Sequence, residues 1–322
     1  MKFKTIIISS IVLCFLFLAA CRSESKKQQK NIAPSEIPEN NLSFKDVNGV
    51  RFYEVKRRFK NGLSFNKIGF QQEPTWIIEF KAPDTMLAYS PEIARMQGFY
   101  IQHDHEKVYN FAREFFRAKV ISKDSLILQR LQVNGRVILG DEDERSDVYC
   151  TYYTKDYIEN KLHTTISELQ RPSKADTLFI KQLSERTYRN PKNADTAFAA
   201  REPVIFEPKS KFITAKKIST VDELNHRPKS YDYLYPEYEI VILKSYKEFA
   251  YNFSVVVDAN GKMYLNRLGS IVLAEHLEAR KKLIQGIIDV YLQNLLKITP
   301  GKTLGIPHSS EITLTVTGKQ SK

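Results

Sequence analysis

The chain has 322 residues, a formal net charge of +12, 42% hydrophobic residues, and 19 Phe and 17 Tyr. That apolar and aromatic load excludes a disordered chain, and the length is enough for about two domains with real cores. The positive charges are interleaved with acids, as in Arg51-Phe-Tyr-Glu-Val-Lys-Arg-Arg58, the pattern of a strand with a solvated face rather than a basic tail.

Lys2 and Lys4 open the chain, Ile6–Leu18 is apolar apart from Ser9 and Ser10, and Ala19-Ala20 lead into Cys21. A basic start, a short apolar run and a small-residue exit predict an export signal over residues 1–20. The run is shorter than the roughly 20 residues of a membrane-spanning helix. Leu18-Ala19-Ala20-Cys21 resembles the lipobox of bacterial lipoproteins. The resemblance implies cleavage before Cys21, lipid on its thiol and acylation of the new amine, hence a palmitate-type anchor. The expected address is a membrane of a Gram-negative envelope, the outer membrane facing the periplasm, where nucleic acid is not an expected partner. Residues 21–41, polar and carrying Pro34 and Pro38, read as a flexible tether.

An N-terminal α+β domain is expected over residues 42–169. Strands are predicted at Val50–Phe59, Thr75–Phe80 and Gly98–Gln102. Val108, Phe111, Ala112, Phe115 and Phe116 then recur at helical spacing, with Asp104 as N-cap, which predicts a helix. Strand character returns at Ser125–Val133, Arg136–Leu139 and Asp147–Tyr153, and a short helix capped by Thr154 follows, to Leu162. Within residues 170–229, the stretch to about 209 holds prolines at 172, 191, 203 and 208 and little periodicity. They read as a linker or loose wrapping segment, with one short helix at Thr220–Leu224.

Residues 230–322 are expected to form a second α+β domain. Ala250–Asp258 is a strand, Asp258-Ala-Asn-Gly261 a tight turn and Lys262–Arg267 the return strand. A helix is predicted from about Leu273 to Lys297, with Leu277, Leu283, Ile284, Ile287, Ile288, Tyr291, Leu292 and Leu295 on its apolar face, stopped by Thr299-Pro300-Gly301. Glu311–Thr317 alternates as a final strand. This ββαβ order resembles the C-terminal domain of TonB-like proteins, periplasmic modules that pass energy to outer-membrane transporters. The matching turns are Val257-Asp-Ala-Asn-Gly261 and Pro300-Gly-Lys-Thr-Leu-Gly-Ile-Pro307. Ile298-Thr299 stand where that family usually carries Trp or Phe. A shared fold is what the resemblance implies; energy transduction does not follow from fold alone.

No catalytic constellation is expected: Gly-x-Ser-x-Gly, His-Glu-x-x-His and Walker patterns do not occur. His103 and His105 fall on one side of an extended chain and make the nearest approach to a metal site, set against Asp104 serving as a helix cap. Asp141–Glu144 reads as a solvated loop, without the oxygen spacing of a calcium loop. Cys150 is the one cysteine left besides Cys14 and Cys21, and reads as a small buried hydrophobe. Tyr231, Tyr233 and Tyr235, with Tyr238, offer a candidate stacking surface or an interdomain packing patch. No cofactor is expected. The expected function is a non-enzymatic envelope module that binds another envelope protein or a cell-wall polymer through exposed strand edges. The alternative is an envelope hydrolase whose site is assembled only in the fold.

Overall fold

The computed structural model describes residues 42–139, 146–218 and 229–320. The export signal, Cys21, the tether, Asp141–Glu144 and the helix expected at Thr220–Leu224 lie outside these residues. The described chain is α+β with strand predominating.

The first half is one antiparallel sheet. Its strands are β1 (Arg51–Phe59), β2 (Ile77–Lys81), β3 (Thr85–Ser90), β4 (Arg95–Tyr100), β5 (Gln102–His105), β6 (Val108–Phe111), β7 (Glu114–Ile121) and β8 (Ser125–Leu131). A small hairpin, β9 (Val133–Asn134) and β10 (Val137–Ile138), precedes β11 (Val148–Thr154). The spatial order is β4-β3-β2-β1-β11-β8-β7-β6-β5, so β11 returns to pair with β1. The two end strands, β4 and β5, are separated in the chain by Ile101 alone. A single bent segment therefore supplies both edges, and the sheet is nearly closed on itself. Inward positions of β1, β2, β3, β8 and β11 fill the interior with Phe52, Ile78, Phe80, Met86, Leu126 and Tyr152. A short 3₁₀ turn, Phe44–Val47, is packed against this core, with Phe44 stacked on Phe80 at 4.3 Å.

The helix expected after Asp104 is replaced by β5, β6 and β7. Phe111 pairs with Glu114 across a two-residue turn in which Ala112 and Arg113 both have positive φ, 52° and 65°. That is the twist a tight hairpin requires, achieved here without the Gly or Asn that usually announces it. The turn resets the alternation, and the reset apolar positions mimic a helical period. The short helix after Thr154 is present, its first turn capped by Thr154 Oγ1, which accepts from Tyr157 N at 3.3 Å.

The segment read as linker contains a 16-residue helix, α1 (Lys174–Arg189). Ser173 and Asp176 form a capping box: Ser173 Oγ accepts from Asp176 N at 3.1 Å, and the Asp176 carboxylate accepts from Ser173 N at 2.7 Å. The same carboxylate accepts from Ser64 N at 2.7 Å and Arg58 Nη1 at 2.8 Å, so it ties α1 to the end of β1 and the loop beyond it. Ile180 and Leu183 join Phe65 and Phe198 in a small third core.

After β12 (Ile205–Pro208), the second sheet is built from β13 (Ile213–Ile218), β14 (Glu237–Leu243), β15 (Phe249–Val257), β16 (Met263–Leu268) and β20 (Ser310–Lys319), in the order β13-β14-β20-β15-β16. One strand upstream of residue 230, β13, thus belongs to this sheet. The short strands β17 (Leu296–Thr299), β18 (Lys302–Thr303) and β19 (Ile306–Pro307) lie between β16 and β20 in the chain. The turn after β15 forms as expected: Asp258 Oδ1 accepts from Asn260 N and Lys262 N at 2.8 and 2.9 Å. Gly261 sits at φ 79°, where an added Cβ would meet the Ile298 carbonyl at 2.7 Å. Helix α2 (Ala274–Ile287) continues through a π-type turn, Ile288–Leu292, to Leu295. It buries Ile284, Ile287, Ile288 and Leu292 against β15, β16 and β20. It ends before Thr299 because Leu296–Thr299 is itself a strand, pairing with Ile205–Pro208 far upstream.

Ile287 is a core position and Lys281 an exposed one on the same helix. Ile287→Ala should lower unfolding free energy by about 2–5 kcal/mol and Lys281→Ala by less than about 0.5 kcal/mol, read by chemical denaturation.

Candidate functional site

Of the two edges of the second sheet, β13 leads into residues outside the described ones, so β16 is the edge whose surroundings are defined. The terminal strand β20 is interior: β15 pairs with it antiparallel on one side and β14 parallel on the other. β16 pairs with β15 alone, which leaves its outer backbone groups without a strand partner among the described residues. A bulge at Asn266, between the Val255–Leu265 and Ser254–Arg267 pairs, bends the edge. Asn266 Nδ2 and Arg267 Nη2 both donate to Glu311 Oε1, at 2.8 and 2.9 Å. Burial alone would raise the Glu311 carboxyl, but the donors Arg267, Ser254 and Asn266 outweigh it and hold the group below its ordinary value.

Two shallow depressions of about 350 and 490 Å³ lie along β16 and share Leu265. The first is bounded by Lys192, Lys262, Tyr264, Gln285 and Asp289. The second is bounded by Arg267, Leu268, Leu277 and Lys281. Lys192 Nζ and Lys262 Nζ lie 5.4 and 5.5 Å from the centroid of the Tyr264 ring, one ammonium from the segment after α1 and one from the hairpin turn. Ile271 and Leu273, on the connector from β16 to α2, are large apolar side chains left exposed. Extended backbone, apolar steps and cations thus run together along one edge. Such a surface suits recognition of an extended chain. The Tyr264 hydroxyl there donates to Asp258 Oδ2 at 3.3 Å, and burial, with that carboxylate, holds the phenol above its ordinary value.

The residues singled out from sequence lie elsewhere. A bulge between His103 and His105 breaks the alternation that would put them on one side. His103 Nε2 meets the Glu106 carbonyl at 2.9 Å, and His105 Nδ1 is held by the neighbouring Asp104 carboxylate. Asp104 lies in a strand, so it caps no helix. Among the described residues no group of three or more His, Cys, Asp or Glu is placed to hold a metal ion. The tyrosines divide. Tyr231 and Tyr235 pack ring on ring at 4.6 Å, with Tyr235 exposed. Tyr233 is buried, accepts from Gln71 N at 3.2 Å and lies 4.1 Å beneath the Arg201 guanidinium. Cys150 is buried, and burial pushes its thiol up.

Three buried polar groups escaped the sequence reading. Glu54 is fully buried beside a β1 bulge, accepts from Arg57 Nε and Nη2 at 2.7 and 2.8 Å, and takes the Thr75 and Trp76 amides at 2.9 Å. Its signal was its placement two residues after Phe52, on the inward face. Asp176 is the capping carboxylate described above. His308 is fully buried, stacked on Phe198 at 3.5 Å. Its Nδ1 donates to the Ser309 carbonyl at 3.1 Å, which leaves Nε2 to accept from Thr303 Oγ1 at 3.0 Å. All three are enclosed by their partners and knit the fold.

Among the described residues no helix is long and apolar enough to cross a membrane. The chain matches no family of known proteins and no curated protein sequence.

Burial depresses the His308 imidazole from 6.5 to about 4. The unfolded chain therefore takes up the proton first. The associated stability is fully present above pH 6.5, falls as pH drops from 6.5 towards 4, and is gone below that. The loss should be on the order of 3 kcal/mol. Equilibrium unfolding across this range should show a shallower acid decline in His308→Gln than in the parent chain.

Proposed function

We propose that this protein is a lipoprotein of a Gram-negative envelope, anchored through lipid on Cys21, whose folded part is a non-enzymatic docking module for another envelope protein. The observation that carries the docking reading is the β16 edge, where a strand without an outer partner among the described residues lines two depressions beside exposed Ile271 and Leu273. Catalysis lacks comparable support. The chemically capable side chains that the fold gathers, Cys150, Glu54 and His308, are buried among their own partners.

The address rests on the sequence: the apolar run after Lys4, the Leu18–Cys21 tetrapeptide and the polar stretch beyond it. Several acyl chains, each buried CH2 contributing about 0.8 kcal/mol, hold such a protein firmly on a bilayer. We place it on the outer membrane, facing the periplasm. The TonB-like reading of the C-terminal unit draws support from the β15–β16 hairpin, α2 and β20, which keep the expected order. β14 beside β20 is an addition to that order, and it moves the available edge to β16.

Cys21→Ser should abolish metabolic labelling with a fatty acid and leave the protein soluble or uncleaved; retained labelling with membrane fractionation overturns the anchor. Mild crosslinking in the native envelope should co-purify a distinct protein with the parent chain. If only cell-wall polymer is recovered, the partner class is wrong.

A further inference from the structure

The β16 edge has no outer strand partner among the described residues, and cations stand at both of its ends: two lysines against Asp289 at the turn end, and Lys281 and Arg267, each with a carboxylate, at the other. At the turn end, Lys192 and Lys262 flank the Tyr264 ring, and neither forms an ion pair with another described residue. Asp289, on the α2 side of that depression, accepts from Gln285 Nε2 at 2.9 Å. At the other end, Lys281 pairs with Glu278 at 2.9 Å, both side chains being largely exposed, and an exposed pair of this kind is readily exchanged. Arg267 is held by Glu311. Between the two ends lie Leu265 and Leu268, packed against the core with part of their surface still open.

We infer that this edge takes an extended acidic segment of a partner protein, adding its backbone to β16 and setting carboxylates over the Lys192–Lys262 pair at one end and Lys281 at the other. The inference rests on the docking reading and adds the chemistry of the partner. An added strand advances about 3.3 Å per residue, so the five steps from Lys262 to Arg267 cover roughly 17 Å. The matching segment carries acids about four to six residues apart, with small or apolar residues alternating between them. Charge argues against two other occupants. A second copy paired antiparallel through β16 sets the Lys262 end of one chain against the Arg267 end of the other. The chain's own Lys26-Lys-Gln-Gln-Lys30 stretch brings like charge to the same place.

The test uses the full-length lipidated protein in detergent and three fluorescent peptides. One is Glu-Val-Thr-Val-Thr-Val-Glu, the second has Lys at both ends, and the third keeps Glu at both ends but carries Pro at the centre. The acidic peptide should bind, more weakly as salt rises, while the Lys-ended and Pro-interrupted peptides bind at least tenfold more weakly. Both lysines are exposed, so the Lys192→Glu/Lys262→Glu double variant should keep its thermal midpoint and lose at least tenfold in affinity; Lys262→Arg should retain it. Equal binding of acidic and Lys-ended peptides, no binding of either, or no effect of the charge reversal overturns the inference. A native partner crosslinked at this edge without such selectivity would leave the docking reading standing and remove this one.

Discussion

Every strand presents hydrogen-bonding groups along both sides, and each side must be met by another strand, by covering structure or by water. The architecture is largely an answer to that demand. In the first half, β11 pairs back to β1 and the bent segment β4–β5 supplies both remaining edges, so the sheet closes nearly on itself around a filled core. In the second half, β14 is laid parallel against β20, and the strand that would have ended a ββαβ unit becomes central. The same solution is not applied to β16. Its outer side is bent by a bulge and flanked by charge, but no strand among the described residues covers it. Function is read from that asymmetry.

The two sheets share structure because the stretch between them is ordered. The Asp176 carboxylate gathers donors from α1, the end of β1 and the following loop, and is fully buried in doing so. Burial by itself would raise its carboxyl; the Ser64 amide, Arg58 and Ser173 reverse the shift and keep it ionised. Further along, Ala199 N donates to the Ile68 carbonyl and Phe198 N to the Ser309 carbonyl, so two adjacent residues join the first loop to the residue before the last strand. Gly69 belongs to the same seam: it has φ 88°, and a Cβ there would strike the Ala199 backbone at 2.4 Å. Lys192 reaches the β16 edge because this seam holds its segment against the second sheet.

What was legible in the sequence was local. The β1 alternation, the Asp258–Gly261 turn, the apolar face of α2 and the final strand depend on neighbours within a few residues, and each appears close to where the pattern put it. The failures have identifiable causes. The β6–β7 turn uses Ala112 and Arg113 at positive φ, residues that give no turn signal. The buried face of α1 includes Asp176, Ser184 and Thr187, so only Ile180 and Leu183 marked its period. The end of α2 is set by pairing with residues 205–208, which no local window contains. β16 was legible as a strand. That it is the available edge follows only from β14 beside β20, and that it is doubly basic follows only from Lys192 arriving from another part of the chain.

The proposed contact surface is β16, away from the nearly closed sheet. The most direct measurement replaces Lys262, or exposed Val137 on β10, with a photo-crosslinking amino acid and irradiates the native envelope. A discrete protein adduct should appear from position 262 and be absent from position 137. No adduct at 262, or the same adducts from both positions, would contradict the assignment of β16 as the docking edge.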